Sequence, residues 1–414
     1  MSVLRFDEAV LPNGLKVVGE HNPLASSVAI AYLIETGGRD EDEAEHGVSH
    51  FLEHLCFKGT AKRDAAQVSR DFDALGARYN AFTSDERTAY YGAVLPDAVP
   101  ELLELLSDMM RPSLHAVDVD VERNVVLEEI AMDADSPAST AFDRARAAFF
   151  GAHPIGRPLL GTTASIGSLS SADVAAYHER RYRAGNMLVV VAGTYDWDAV
   201  LAQLALETRD WPAGDDPRAH PPLALGSGRL EERAPRITRA HVAVLAPGVG
   251  RQDPRRVAAT LLARAIGGAD NSRLFWSLIE PGIADEASLW HDDAEGFGSF
   301  GAYLSTDDAS VERVLDVAFG VFEEVQRSGL SPEEWASAQR TLATGLTLRG
   351  ETPMGRLVTL GSAYLDRGRY ESVREVVDEV LGTPLEAGLA LLAERPFDRA
   401  LRFVLRPESP VSAS

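Results

Sequence analysis

Two stretches of this sequence spell out one order of elements, and that repetition constrains the fold more than any other feature. The first opens with Val28-Ala29-Ile30-Ala31-Tyr32-Leu33-Ile34, after a turn at Asn22-Pro23; the second opens with His241-Val242-Ala243-Val244-Leu245-Ala246-Pro247. Both read as strands, and each passes through Gly-Arg into an acidic turn and an apolar helix. Tyr91-Gly92-Ala93-Val94-Leu95-Pro96 is echoed by Phe300-Gly301-Ala302-Tyr303-Leu304-Ser305, and both lead into long amphipathic patterns, 97–110 and 308–326. Each half closes on a further strand, Met187–Ala192 and Leu401–Leu405. Between them runs Trp211-Pro212-Ala213-Gly214-Asp215-Asp216-Pro217-Arg218-Ala219-His220-Pro221-Pro222, whose Pro, Gly and charge mark a linker. The expected fold is α+β: two weakly homologous domains, 1–211 and 225–414, joined by 212–224. Each is expected to be a mainly antiparallel sheet with helices packed on one face, the two facing each other across a cleft.

Composition sets bounds on function. A chain of 414 residues, 45% hydrophobic and 25% charged, is globular, with enough length for two cores. No apolar run approaches the roughly eighteen residues of a membrane helix, and the N-terminus lacks the basic and apolar regions of a secretory signal. Cys56 is the only cysteine, so no intrachain disulfide can form and a reducing, cytoplasmic setting fits. Sixty-three acidic residues against forty basic ones give a formal charge of −23. That charge repels nucleic acid and anionic lipid and attracts basic polypeptide.

The lopsided part of the repeat carries the chemistry. The first half contains His50-Phe51-Leu52-Glu53-His54, an H-x-x-E-H motif, where the second has Thr260-Leu261-Leu262-Ala263-Arg264-Ala265-Ile266-Gly267-Gly268 with neither histidine nor acid. On a helix, residues four apart lie about 40° apart on one face. Two imidazoles can then hold one Zn²⁺ while Glu53 reaches a water beside it. Cys56 is out of phase with the histidines and reads as a small buried hydrophobe. A tetrahedral catalytic zinc needs a third protein ligand, and Val121-Glu122-Arg123-Asn124-Val125-Val126-Leu127-Glu128-Glu129-Ile130 offers one on a helical pattern. Glu122 and Glu129, two turns apart, share a face; Glu128 points about 100° away.

Three segments, GVSHFLEHLCFKGT (47–60), GARYNAFTSDERTAYYGAVLP (76–96) and ERNVVLEEI (122–130), resemble the M16 family of zinc peptidases, which includes pitrilysin and the mitochondrial processing peptidases. The resemblance runs from about residue 5 to the C-terminus and is nearest the short bacterial branch of the Thermus–Deinococcus type. It implies that His50, His54 and Glu129 ligate one Zn²⁺, that Glu53 is the general base, and that Glu122 holds a ligand histidine. It also implies an edge strand at Asn80-Ala81-Phe82-Thr83, where Asn80 and Ala81 bond the backbone of an extended substrate. Glu86 matches a position near the ligands without a direct part in the chemistry. The expected partners are peptide or unfolded polypeptide, basic if the acidic charge lines the site, and a second copy or a related subunit.

The expected reaction is zinc-dependent hydrolysis of internal peptide bonds, with Glu53 taking a proton from the attacking water and passing it to the leaving amine. One departure from the family stands out. Where relatives carry an Arg and then a Tyr that grip the reacting carbonyl, this chain has Leu278-Ile279-Glu280-Pro281-Gly282-Ile283-Ala284-Asp285-Glu286. A peptide-clamping chaperone or a structural subunit with little turnover is therefore the competing reading.

Overall fold

The computed structural model describes residues 4–268 and 270–408. Its strands are β1 (Arg5–Val10), β2 (Lys16–His21), β3 (Val28–Ile34), β4 (Arg78–Thr83), β5 (Thr88–Val94), β6 (Met187–Gly193), β7 (Gly228–Ala234), β8 (Ala240–Gly248), β9 (Glu286–Ala294), β10 (Phe297–Thr306) and β11 (Leu401–Pro407). They form two sheets, ordered β1-β2-β6-β3-β5-β4 and β7-β11-β8-β10-β9. The pairing is antiparallel except for β2 with β6 and β7 with β11, which are parallel. Setting β2-β6-β3-β5-β4 beside β7-β11-β8-β10-β9, the order and the single parallel pair coincide, so the repeat seen in the sequence is a repeat of topology. In both sheets the parallel pair joins a strand near the start of the repeat to the one that ends it.

The chain divides into two compact units, and neither is contiguous. The first takes residues up to Ala131, Arg157–Pro221 and Leu348–Ser372; the second takes Met132–Gly156, Pro222–Thr347 and the chain from Val373. The division at Pro221 and Pro222 lies inside the segment read as a linker, but residues 132–156 and 348–372 each belong with the unit formed mainly by the other half.

The reason is visible in how each sheet is covered. Along β3, Val28, Ile30, Tyr32 and Ile34 point into one cluster, shared with Phe51, Leu52 and Leu55 of the helix Val48–Leu55. Ala29, Ala31 and Leu33 point into another, shared with Leu357 and Leu360. The second face of this sheet is therefore not solvent, as a one-sided layer would have it; the helix Pro353–Arg367 lies on it. Gly361 lets that helix approach closely, since a Cβ there would meet Leu33 Cδ1 at 2.2 Å. A buried ion pair, Arg356 Nε to Glu20 Oε2 at 2.8 Å, and a pair between Arg87 and Asp366 fix its ends. In the second unit the helix Pro137–Phe150 does the same, packing Ala141, Ala145 and Phe149 on Ala243, Leu245 and Phe403, while Val242, Val244 and Ala246 face the larger helical layer.

The linker is anchored along the first unit. Ala184 N–H donates to Pro212 O at 2.9 Å, Gly185 N–H to Gly214 O at 3.0 Å, and the Arg218 guanidinium grips both oxygens of buried Asp40 at 2.7 and 2.8 Å. Among the described residues, no helix is long and apolar enough to cross a membrane.

Candidate metal centre

The helix Val48–Leu55 separates apolar from polar side chains. Val48, Phe51, Leu52 and Leu55 are buried against the first sheet, while His50, Glu53 and His54 are half-exposed on the opposite side. Its N-terminus is held from outside. Gly47 caps the helix with φ +90°, and a Cβ there would lie 2.8 Å from Leu160 O, so both conformation and space call for glycine. The Glu41 carboxylate, buried, accepts from Gly47 N–H at 2.7 Å and Ser49 N–H at 2.8 Å, satisfying orphan donors of the first turn. The Tyr177 hydroxyl lies 2.7 Å from both Ser49 Oγ and Thr36 Oγ1, tying the residue before His50 to the strand end beyond β3.

The helix Ala116–Ala134 brings up the carboxylates. Its inward residues are Val119, Glu122 and Val126; Val121 and Val125, which the periodicity makes apolar, are exposed. Glu129 Oε2 lies 3.8 Å from His50 Nε2 and 3.5 Å from His54 Nε2. Ligand atoms of His50, His54 and Glu129 all fall within 4.8 Å of one another, and no other such group of three or more occurs among the described residues. Metal bonds of about 2.0–2.1 Å in a tetrahedron set ligand atoms about 3.3–3.4 Å apart, so a small inward movement would close this triad on zinc. His50 Nδ1 is buried with no hydrogen-bond partner, and burial with the neighbouring His54 pushes its pKa down to about 4, keeping it in the neutral form that a ligand needs. His54 differs. Burial opposes its charge, but Glu122, 2.8 Å from Nδ1, together with the nearby carboxylates of Glu129 and Glu53, outweighs this and raises its pKa. The other Glu122 oxygen pairs with Lys58 Nζ at 2.6 Å. Despite burial, the hydrogen bond from His54 and the pair with Lys58 hold Glu122 below its ordinary pKa.

Glu53 completes the face. Burial raises its pKa, and Thr83 Oγ1, donating to Oε2 at 2.6 Å, offsets part of the rise. Thr83 ends β4, which is the edge of its sheet and packs against the helix Val48–Leu55. Asn80 and Ala81 thus sit on an edge strand beside the histidine helix. Glu86 lies elsewhere in the network: it is buried and paired with Arg39. Cys56 is fully buried, and burial pushes its thiol up to about 12.

A profile described as Insulinase (Peptidase family M16) matches residues 16–163, and one described as Peptidase M16 inactive domain matches residues 168–342. An uncharacterized zinc protease of Mycobacterium tuberculosis is 34% identical over 381 residues, 89% of this chain and 86% of its own length. This chain belongs to peptidase family M16. An uncharacterized zinc protease of Streptomyces coelicolor is also 34% identical, over 89% of this chain and 83% of its own; one of Bacillus subtilis is 28% identical over 90% and 91%. The fold recurs in an M16 inactive-domain protein of Pseudomonas fluorescens, TM-score 0.91 at 19% identity over 98% of both chains. A Helicobacter pylori protease gives 0.89 at 20% identity, over 98% of this chain and 100% of its own.

Sequence reasoning missed five residues that support this face. Lys58, Thr83 and Ser49 lie within the family-like segments, yet nothing in their spacing assigns a partner. Glu41 and Tyr177 come from a loop and a distant helix, Ser171–Arg181, and only the fold brings them together.

Proposed function

We propose that this M16 protein is a zinc-dependent endopeptidase that hydrolyses extended peptides or unfolded polypeptide segments. The convergence of His50, His54 and Glu129 within 4.8 Å, with Glu53 beside them, carries the reading. Two imidazole nitrogens and one carboxylate oxygen suit Zn²⁺, which when bound would supply a Lewis acid for the scissile carbonyl and lower the pKa of a water. Glu53 takes the proton of the attacking water on its free oxygen as the new C–O bond forms. It then delivers that proton to the amine nitrogen as the C–N bond breaks. Glu122 holds the His54 ring through Nδ1, which leaves Nε2 as the nitrogen that would hold Zn²⁺.

The edge strand supports an extended substrate. Ser84 N–H donates to Arg87 O at 2.7 Å, continuing the β4–β5 ladder. By antiparallel alternation, Tyr79, Ala81 and Thr83 direct their backbone groups away from β5 to the open edge. Ala81 N–H bears this out: it donates to its neighbour's Asn80 Oδ1 at 2.9 Å, where a substrate carbonyl would lie. Backbone pairing of this kind is largely indifferent to substrate side chains.

The competing reading, a clamp without turnover, rests on the missing Arg–Tyr pair; within that segment Pro281 lies in a turn and Asp285 is engaged by Arg239. One assay decides between them. Purified protein with an unstructured, internally quenched basic peptide should cleave it and stop when a chelator is added. Chelator-insensitive cleavage, or binding without cleavage in zinc-loaded protein, would reject the peptidase assignment.

A further inference from the structure

We propose that Thr83 is the positioning residue that registers the general base to the strand on which the substrate lies. This rests on the peptidase reading above and adds a residue to it.

Two observations meet at Thr83. Its side chain donates to Glu53 Oε2 at 2.6 Å. Its main chain belongs to the outward set of β4, the parity fixed by the Ser84–Arg87 bond and occupied also by Ala81. One residue therefore touches the base with its hydroxyl and faces the open edge with its backbone. The face assignment agrees. Side chains two apart on a strand share a face, and Ala81 packs in the same cluster as Phe51 and Leu52 of the helix Val48–Leu55. Phe82, between them, joins the opposite cluster. Thr83 is thereby turned toward that helix, where Glu53 is.

A Glu side chain left alone rotates broadly about its last torsion. A hydroxyl on one oxygen stops that rotation and leaves the other oxygen for the proton. The β-branched threonine is stiff about χ1, so the hydroxyl follows the β4 backbone, and the backbone is what an added substrate strand grips. The base is then aligned to the scissile bond through a single residue and not through the metal.

The test uses zinc-loaded protein and the quenched peptide. Thr83→Val keeps the shape and removes the hydroxyl; its kcat should fall about 10–100-fold, the scale expected when a reacting group is misplaced, with KM, zinc content and peptide affinity by fluorescence anisotropy unchanged. Thr83→Ser, which restores the hydroxyl, should recover most of kcat. If Thr83→Val melts early, Thr83→Ala replaces it in the same comparison. A wild-type kcat in the hydroxyl-free variant overturns the proposal, as does Ser failing like Val, or a loss confined to KM or to zinc. A wild-type protein that cleaves nothing overturns the peptidase reading and this proposal together, whereas cleavage by wild type and hydroxyl-free variant alike overturns this proposal alone.

Discussion

Nδ1 of His54 stands 2.8 Å from Oε1 of Glu122, a carboxylate held ionised by its partners and so able only to accept. The ring proton must then sit on Nδ1, and Nε2, 3.5 Å from Glu129, keeps its lone pair for a metal. Glu122→Gln can preserve the shape but carries no charge toward His54 or Lys58. The variant should still bind about one zinc per chain in excess metal, with affinity reduced about 10–100-fold in chelator competition. Wild-type affinity would remove Glu122 from the site, and complete loss of zinc would make it a ligand.

Glu53→Gln separates base from ligand. It should fold, keep zinc and bind peptide, yet lose hydrolysis by about 10²–10⁴-fold. Zinc measured in the same sample matters: cleavage within a few-fold of wild type with full metal excludes Glu53, whereas loss of metal would recast it as a ligand.

Glu41 acts from the far end of the same helix. Both its oxygens accept backbone N–H groups, and it is buried. Glu41→Ala leaves those donors without protein partners, which should lower stability by about 1–3 kcal/mol. The comparison belongs in metal-free protein, by chemical denaturation, so that any zinc effect is measured apart. Unchanged stability there would mean that water serves the first turn equally well.

His178 predicts the acid side of stability. It is buried in the first unit, its Nε2 2.9 Å from Met110 O, and burial with the nearby Arg111 lowers its pKa to about 4. Unfolded, it titrates near about 6.5. The folded state therefore binds a proton less readily than the unfolded one. Its contribution is fully present above about pH 6.5 and is lost as pH falls toward 4, amounting to about 3 kcal/mol. Denaturation midpoints of metal-free His178→Gln should fall less steeply over this window than those of wild type; parallel slopes would show that other groups dominate.

Much of this was legible in the residues. The strand Val28–Ile34 was legible at both ends because its apolar run is bounded by turn residues. His50, Glu53 and His54 could be grouped because helical spacing fixes which side chains share a face; the same spacing offered Glu122 and Glu129 alike, and only the resemblance to M16 peptidases singled out Glu129. The same run carried a signal that was read too weakly: seven consecutive buried residues mean two covered faces, and an alternating pattern would have meant one. What covers the second face could not be read, since Pro353–Arg367 lies more than three hundred residues beyond β3 and has an amphipathic pattern that suits many surfaces. Thr83 and Glu41 were illegible for a related reason. A hydroxyl or carboxylate announces nothing about its partner until the chain is folded.

The exchange of segments between the units changes what it means to divide this protein. A single cut in the stretch 212–222 would not release two independent bodies. The amino-terminal fragment would lack Pro353–Arg367, and Leu33, Leu188 and Val190 would lose the cover that Leu357 and Leu360 give them. The carboxy-terminal fragment would likewise lack Pro137–Phe150. Nicked protein should therefore migrate as one species under native conditions and separate only in denaturant, and either half expressed alone should be insoluble while the two expressed together recover. Evolution faces the same bond: once each half had lent the other a helix, neither could be lost, duplicated or shuffled without taking its lender along.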